Sequence, residues 1–498
     1  MRSKFRASGE FTAERDGTTG GSAPRPPSVR GALASLSLAM LLFSLGTSIA
    51  NVGLPTLAEA FHASFQEVQW IVLAYLLAIT TLIVSVGRLG DLAGRRRLLL
   101  AGVFLFTVAS VLCGVAPTLW WLIAARAVQG LGAAIMMALT MALVGETVPK
   151  ARTGRAMGLL GTMSAIGTAL GPSLGGGLIA GPGWRALFLI NVPLGLLTFL
   201  LAYRYLPVDR QGPQPQPERV GLDQPGTLLL ALTLAAYALA MTLGRGHYGM
   251  INLVLLGAAA GGLGLFVLAE TKAAAPLVRL AMFREPVLRA GLAMSALVST
   301  VMMATLVVGP FYLARALGLD AARVGLVLSA GPVVAALTGV PAGRMADRFG
   351  APRLTLAGLI GIAAGCFLLS LLPEATGLPG YLVPMVIMTM GYGLFQTANN
   401  TAVMSGIQPD QRGVISGMLN LARNLGLITG ASVMGAVFAL ASATSDITTA
   451  PPGAVAAGMR VTFAVAGVLM VVALAFAVGG REPAPVAPPA GEGPDAGS

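Results

Sequence analysis

The chain has 498 residues, of which 55% are hydrophobic and only 10% charged, against roughly 25% charged in soluble domains. So few polar side chains cannot cover a water-soluble surface of this size, and lipid must supply much of the solvent. The net charge of +12 lies in short segments between apolar runs, not on one soluble face, which excludes a nucleic-acid-binding domain.

Residues 1–30 are polar, with Gly, Pro, Ser and six basic side chains, and predict a disordered tail. A helix needs about 20 apolar residues to cross the hydrocarbon core. Fourteen stretches qualify, near 31–54, 67–87, 97–116, 119–146, 155–180, 186–206, 226–243, 250–269, 287–314, 321–343, 353–372, 380–406, 413–441 and 457–479. They divide into a six-helix half at 31–206, a Pro- and Gln-rich linker at 207–224, two additional helices at 225–270 and a second six-helix half at 287–479. Residues 480–498, rich in Pro, Ala and Gly, predict a second disordered tail. Cys113 and Cys366 fall inside apolar runs and imply neither a disulfide nor a metal site.

The 32 Lys and Arg residues are distributed unevenly. With the N-terminus inside, the outer segments carry only Arg185, Arg245, Arg315, Arg323 and Arg460, while Arg126 and Arg423 lie within spans. The positive-inside rule therefore predicts a multi-pass protein of the plasma membrane with both termini cytoplasmic.

The chain repeats itself. Gly87-Arg88-Leu-Gly-Asp91-Leu-Ala-Gly94-Arg95 recurs 256 residues later as Gly343-Arg344-Met-Ala-Asp347-Arg348-Phe-Gly350. Gly154, Gly158, Gly167 and Gly171 recur 259 residues later as Gly413, Gly417, Gly426 and Gly430. The motif falls on the same membrane side both times, so the six-helix units are parallel repeats, an arrangement of secondary transporters with the substrate between the halves. Gly87 and Gly94 would allow a tight turn between antiparallel helices. Asp91, among Arg88, Arg95, Arg96 and Arg97, could latch two helices and release them as the halves rock; the bland alternative is a loop carrying positive-inside arginines.

The run Gly87-x-Leu-x-Asp91-x-x-Gly94-Arg95-Arg96-Arg97 resembles the signature loop of the major facilitator superfamily. Three further stretches resemble motifs of its fourteen-helix drug:proton antiporter branch: Arg126-Ala-Val-Gln129-Gly130, Gly167-x-x-x-Gly171-Pro172-x-x-Gly175-Gly176, and Trp184-Arg185-Ala-Leu-Phe188-Leu-Ile-Asn191-Val-Pro193. The resemblance covers nearly the whole chain between the tails. It implies an all-α integral membrane protein with two six-helix halves plus two central helices, exporting small lipophilic compounds by proton antiport and rocker-switch alternating access. It also implies that Arg126 takes part in proton relay and that the span-5 glycine motif belongs to exporters.

Span 1 departs from the branch. Its usual acid is replaced by Gly46 in Leu45-Gly46-Thr47-Ser48-Ile49-Ala50-Asn51, and none of the 20 Asp and Glu residues falls mid-span. Glu146, at one end of span 4, is nearest. A cationic drug in a low-dielectric cavity needs a carboxylate. This interior offers Arg126 and Arg423 instead, so neutral or anionic amphiphiles are expected over quaternary cations. Proton coupling loses its usual carrier; either Glu146 or Asp91 titrates in its place, or coupling is absent. Thr47, Asn51, Gln69, Trp70, Tyr75, Tyr312, Gln396, Asn399 and Asn400 are further cavity candidates. Gln129 shares the face of Arg126. The rival readings are an uptake or facilitative carrier and a non-transporting sensor or scaffold, the latter needing a soluble domain for which the tails and linker are too short. No nucleotide loop, metal cluster or nucleophile elbow is present, so neither an enzyme nor a cofactor is expected. The expected partners are a small-molecule substrate, the lipid bilayer and protons, with the chain acting as a monomer.

Overall fold

The computed structural model describes residues 29–149, 153–208, 224–243, 249–272, 285–371, 376–404, 412–442 and 450–479. Val29 and Arg30, expected in the first tail, begin α1; the rest of the predicted tails, the middle of the 207–224 linker and Arg245 lie outside the described residues. The helices are α1 (Val29–Val52), α2 (Leu54–Phe61), α3 (Phe65–Ala93), α4 (Arg95–Gly114), α5 (Leu119–Thr147), α6 (Thr153–Ala180), α7 (Ala186–Leu189), α8 (Asn191–Tyr205), α9 (Gln224–Thr242), α10 (Met250–Lys272), α11 (Pro286–Phe311), α12 (Ala321–Phe349), α13 (Ala351–Leu371), α14 (Gly377–Met404), α15 (Arg412–Thr429), α16 (Gly435–Ala441) and α17 (Pro452–Gly479). A π-helical turn, Tyr312–Ala316, continues α11, and another, Gly430–Met434, joins α15 to α16.

Among the described residues, fourteen spans are long and apolar enough to cross a membrane. Two of them are composite, α7 with α8 and α15 with α16, and the short α2 is not a span. Their outward faces carry exposed Leu200, Leu253, Leu337 and Val468, side chains that are stable there only against lipid.

The ends of the helices follow from their capping residues. Ser64 and Glu67 form a capping box at the start of α3: Ser64 N donates to Glu67 Oε2 over 2.7 Å and Glu67 N donates to Ser64 Oγ over 3.3 Å. Asp320, the equivalent position in the second half, accepts from Arg323 N over 2.8 Å to cap α12. Gly94 turns α3 into α4 at φ +93°, and Gly350 turns α12 into α13 at φ +82°; only glycine adopts such angles without strain. The expected turn at Gly87 is not observed. Gly87 and Gly343 continue α3 and α12, because Gly94 and Gly350 alone reverse the chain.

The repeat is visible in the packing. A Cβ on Gly132 would fall 2.7 Å from the carbonyl oxygen of Gly102, and one on Gly391 would fall 2.6 Å from that of Gly358. The backbones of α4 and α5 therefore touch as those of α13 and α14 do. Gly167 and Gly171 of α6 seat against α1 at Leu41 and Ser48, and Gly426 and Gly430 seat against α11 at Ala296 and Thr300. Small residues let helices approach this closely in lipid.

The two halves meet at one end. Gly176 of α6 lies on Ala321 and Gly325 of α12, and Gly325 in turn lies against the carbonyl of Pro172. Phe65 packs edge-on to Phe311 and Phe438, with ring centroids 4.8 and 5.4 Å apart. Toward the Gly94 end, no described atom lies within 4 Å of where a Cβ would stand on Gly161, Gly339 or Gly343. Thus α6 and α12 close at the Glu59 end and splay at the Gly94 end. Beside this seam, α9 reaches both halves: Trp70 Nε1 donates to Thr242 Oγ1 over 3.0 Å, and Tyr237 Oη lies 3.3 Å from Thr429 Oγ1.

Candidate functional site

Arg126 is the largest fully buried side chain, seven residues into α5. An unpaired charge there would cost several kcal/mol, and its surroundings explain how it is held. Nε donates to the carbonyl of Ile71 over 3.0 Å, and Nη1 donates to the carbonyl of Gly46 over 3.1 Å and to Gln129 Oε1 over 2.5 Å. Gln129 Nε2 donates onward to Ser110 Oγ over 2.7 Å. The guanidinium carbon lies 4.1 Å from the ring centroid of Tyr75 and 6.0 Å from that of Phe188, so aromatic faces supply much of the missing negative charge. Tyr75 Oη is 3.2 Å from Thr47 Oγ1. Spans α1, α3, α4 and α5 thus converge on one cation that no described carboxylate touches.

Glycine-rich α6 has two working faces. Gly167, Gly171 and Gly175 lie on α1, where Ser48 Oγ donates to the carbonyl of Gly167 over 3.3 Å. Pro172 and Gly176 lie on α12 of the other half. The stripe itself packs within the first half, and Pro172 and Gly176 make the contact with the second.

The two loop motifs differ in their surroundings. Asp347 and Arg348 are exposed, with the Arg348 guanidinium 5.3 Å from the Phe349 ring centroid. Arg96 donates to the carbonyl of Tyr203 at the end of α8 and lies over its ring, and Arg95 is half-buried. The side chains of Arg88, Asp91 and Glu146 lie outside the described residues.

The remaining candidates separate. Thr47, Asn51 and Tyr75 join the Arg126 group; Asn51 Nδ2 donates to the carbonyl of Thr47 over 3.3 Å, while its Oδ1 is buried without a partner. Gln69 is buried with neither amide atom bonded, against Gly435 of α16. Trp70 does not join them, because it turns to α9. Tyr312 stacks on Tyr381 at 5.8 Å, and Asn399 donates to the carbonyl of Gly291 over 3.1 Å, so both hold α11 to its neighbours. Gln396, Asn400 and Arg423 come together around a hollow between α11, α14 and α15, lined also by Ser295 and Asn420. Ser295 and the Glu59–Arg315 ion pair were not found by sequence reasoning. The spacing of the repeat could have found the pair, since Arg315 lies 256 residues after Glu59.

The family model of the Major Facilitator Superfamily matches residues 36–431. The chain belongs to the major facilitator superfamily. Curated members share a third of its sequence over most of their length. The drug efflux pump JefA of Mycobacterium tuberculosis is 34% identical over 420 residues, covering 83% of this chain and 81% of that protein. The uncharacterized transporter YebQ of Escherichia coli is 32% identical, covering 82% and 89%. The riboflavin transporter RibZ of Clostridioides difficile is 29% identical, covering 81% and 87%. Among solved structures, an inward-facing, unoccupied bacterial homolog of the human lysosomal transporter Spinster superposes with a TM-score of 0.67 at 16% identity, covering 91% of this chain and 96% of that one. The xylose transporter XylE, partially occluded and inward open, gives 0.62 at 14% identity, covering 90% and 96%. This major facilitator protein is therefore a multi-pass transporter of small molecules and not an enzyme. Its fold is two six-helix halves with two central helices.

Proposed function

We propose that this chain is a secondary exporter of small lipophilic compounds that works by rocker-switch alternating access driven by proton antiport. One observation carries the reading: α6, with its exporter-type glycine motif, is wedged between α1 of its own half and α12 of the other. Its backbone contact at Gly176 and Gly325 closes one end while the other splays, and a helix so placed must move whenever the open end changes. Relatives named as drug efflux pumps support lipophilic cargo, and the Arg126 group without a carboxylate supports neutral or anionic cargo over cations. Both termini and the Gly94 end lie in the cytoplasm, which makes this the inward-open state, in the plasma membrane. One copy suffices, because both halves reside in one chain.

Uptake of a dye into everted vesicles, with and without an imposed pH gradient, tests the reading. Accumulation that needs an acidic lumen is expected; accumulation indifferent to the gradient sinks antiport. A facilitative carrier is the second reading, favoured by Gly46 at the usual acidic position, and it predicts that indifference.

A further inference from the structure

The hollow between α11, α14 and α15 stands apart from the Arg126 group and from the contact of α6 with α12. It measures about 170 Å³ and is lined by Ser295, Gln396, Asn400, Met404, Asn420 and Arg423, with Leu419 beside them. Arg423 sits three turns into α15, inside the stretch Gly417–Ala441 that is apolar enough to span. A cation at that depth is costly unless it meets a partner or an aqueous cavity. Arg423 has no hydrogen bond or ion pair with any described residue, yet it is exposed. Its head therefore stands in the hollow, at the splayed Gly94 end where the two halves part.

The composition of the wall decides what the hollow can take. Gln396 and Asn400 are one turn apart on α14, and Asn420 and Arg423 one turn apart on α15, so each pair shares a face. Asn420 is already engaged; Arg423, Gln396, Asn400 and Ser295 offer a guanidinium, two amide NH2 groups and a hydroxyl. No described Asp or Glu lines the hollow. Met404 and Leu419 supply an apolar flank. A planar fork of donors beside amide donors matches the geometry of a carboxylate or similar oxyanion, and the flank suits an organic body. The contrast with the hollow beside Glu59 is direct: there Arg315 is already paired with Glu59, whereas here the cation meets no described carboxylate.

We propose that this hollow is a binding subsite for the anionic oxygen group of an amphiphilic substrate, with Arg423 as its anchor. The assignment rests on the exporter reading for its substrate class. It differs from the Arg126 group, which is sealed from solvent and bonded through Nε and Nη1.

The test is equilibrium binding, which is blind to transport direction and coupling. Purified full-length protein in phosphatidylcholine nanodiscs is titrated with coumarin-3-carboxylate and with its uncharged ethyl ester, read by fluorescence. The wild type should bind the carboxylate at least about tenfold more tightly than the ester, the scale of one charge-assisted hydrogen bond. Arg423→Gln should erase that preference, Arg423→Lys should keep part of it, and Gln396→Leu should reduce it. Thermal melts identify any variant that fails to fold, and the remaining variants then carry the result. Equal binding of the two probes by the wild type, or a preference that survives Arg423→Gln, overturns the proposal. Loss of the preference in phosphatidylglycerol nanodiscs alone would assign the hollow to a lipid headgroup and overturn the substrate role. Failed vesicle export with intact carboxylate binding would reject the exporter reading and leave the subsite standing.

Discussion

Arg126 Nη1 donates to the carbonyl oxygen of Gly46 over 3.1 Å, so the position where the resembling branch carries an acid lies against the buried cation and supplies it with a backbone dipole. A carboxylate there would neutralise Arg126 outright. With Gly46, the positive charge is only partly offset, by two carbonyls, one amide oxygen and the face of Tyr75. On the proposed reading, the surroundings of Arg126 stay electropositive and should disfavour cationic cargo.

Restoring the acid should reverse that preference. A Cβ on Gly46 would fall 2.7 Å from Cζ of Phe106, the far end of a ring that must yield, and overpacking of this kind costs about 1–3 kcal/mol. Gly46→Asp combined with Phe106→Leu provides the room. The double variant is expected to export ethidium from cells lacking other pumps, measured by dye efflux, where the parent does not. No gain of ethidium efflux would refute the electrostatic account.

Arg126 can be separated from its structural role. Ile71 and Gly46 offer helix carbonyls, so removing Arg126 orphans chiefly Gln129 Oε1, at a cost of about 1–3 kcal/mol. Replacing a buried ionic group and its partner by apolar residues of similar size is often neutral. Arg126→Met with Gln129→Leu should therefore melt within a few degrees of the parent and transport nothing. A large fall in melting temperature would mean that the group is held for stability.

The fourteen spans and two halves were legible because lipid leaves no alternative: each span must be apolar for about 20 residues. The turn at Gly94 was legible because only glycine accepts its angle, but glycine alone does not say which position turns, and Gly87 stays helical. The partners of Arg126 were not, since backbone carbonyls leave no residue-type signature. Nor was the turning of Trp70 toward α9, because an indole in an apolar run reads the same on any face. Gly167, Gly171 and Gly175 announced a close helix contact, but spacing alone does not say whether the neighbour is α1 or α12.

Glu59 and Arg315 pair at the closed end, and they occupy equivalent positions of the repeat, so the same place in each half carries opposite signs. Both are partly exposed, and such a pair is worth about 0–1 kcal/mol. Glu59→Gln should raise the open population at that end about two- to fivefold, and Glu59→Arg with Arg315→Glu should restore it. Val324→Cys, buried beside the pair, reports opening through its rate of labelling by an impermeant maleimide. The native Cys113 and Cys366 are buried and are replaced by Ser as a precaution. Equal rates in all three backgrounds would remove the pair from the gate.

The contact between α6 and α12 should be far less forgiving. A Cβ on Gly325 would overlap the Pro172 carbonyl, and one on Gly176 would overlap that of Ala321. Backbone atoms cannot turn aside as Phe106 can. Gly325→Val should hold the Glu59 end open and label Val324→Cys at least about tenfold faster, on the scale of an overpacked core, with transport lost. A Cβ on Gly171 would meet Ser48 Oγ and, at 2.7 Å, Ser48 Cβ, all within the first half; Gly171→Ala therefore strains α6 against α1 but leaves the α6–α12 contact in place, and should keep the parent's labelling rate.

Gln69 pulls the same gate the other way. It is 1% exposed, its amide bonds to no described atom, and it is packed against Gly435 of the opposite half. An unsatisfied buried amide costs about 1–3 kcal/mol, a cost present only while α3 and α16 are together, since parting them admits water. Gln69 therefore biases the transporter away from the closed seam, and Gln69→Met, similar in volume without the polar atoms, removes the bias. The variant should melt higher than the parent, label Val324→Cys about five- to a hundredfold more slowly, the range that energy implies, and turn over more slowly, because the end held shut must open in every cycle. Faster labelling, or a lower melting temperature, would mean that the Gln69 amide stabilises the closed seam and does not strain it.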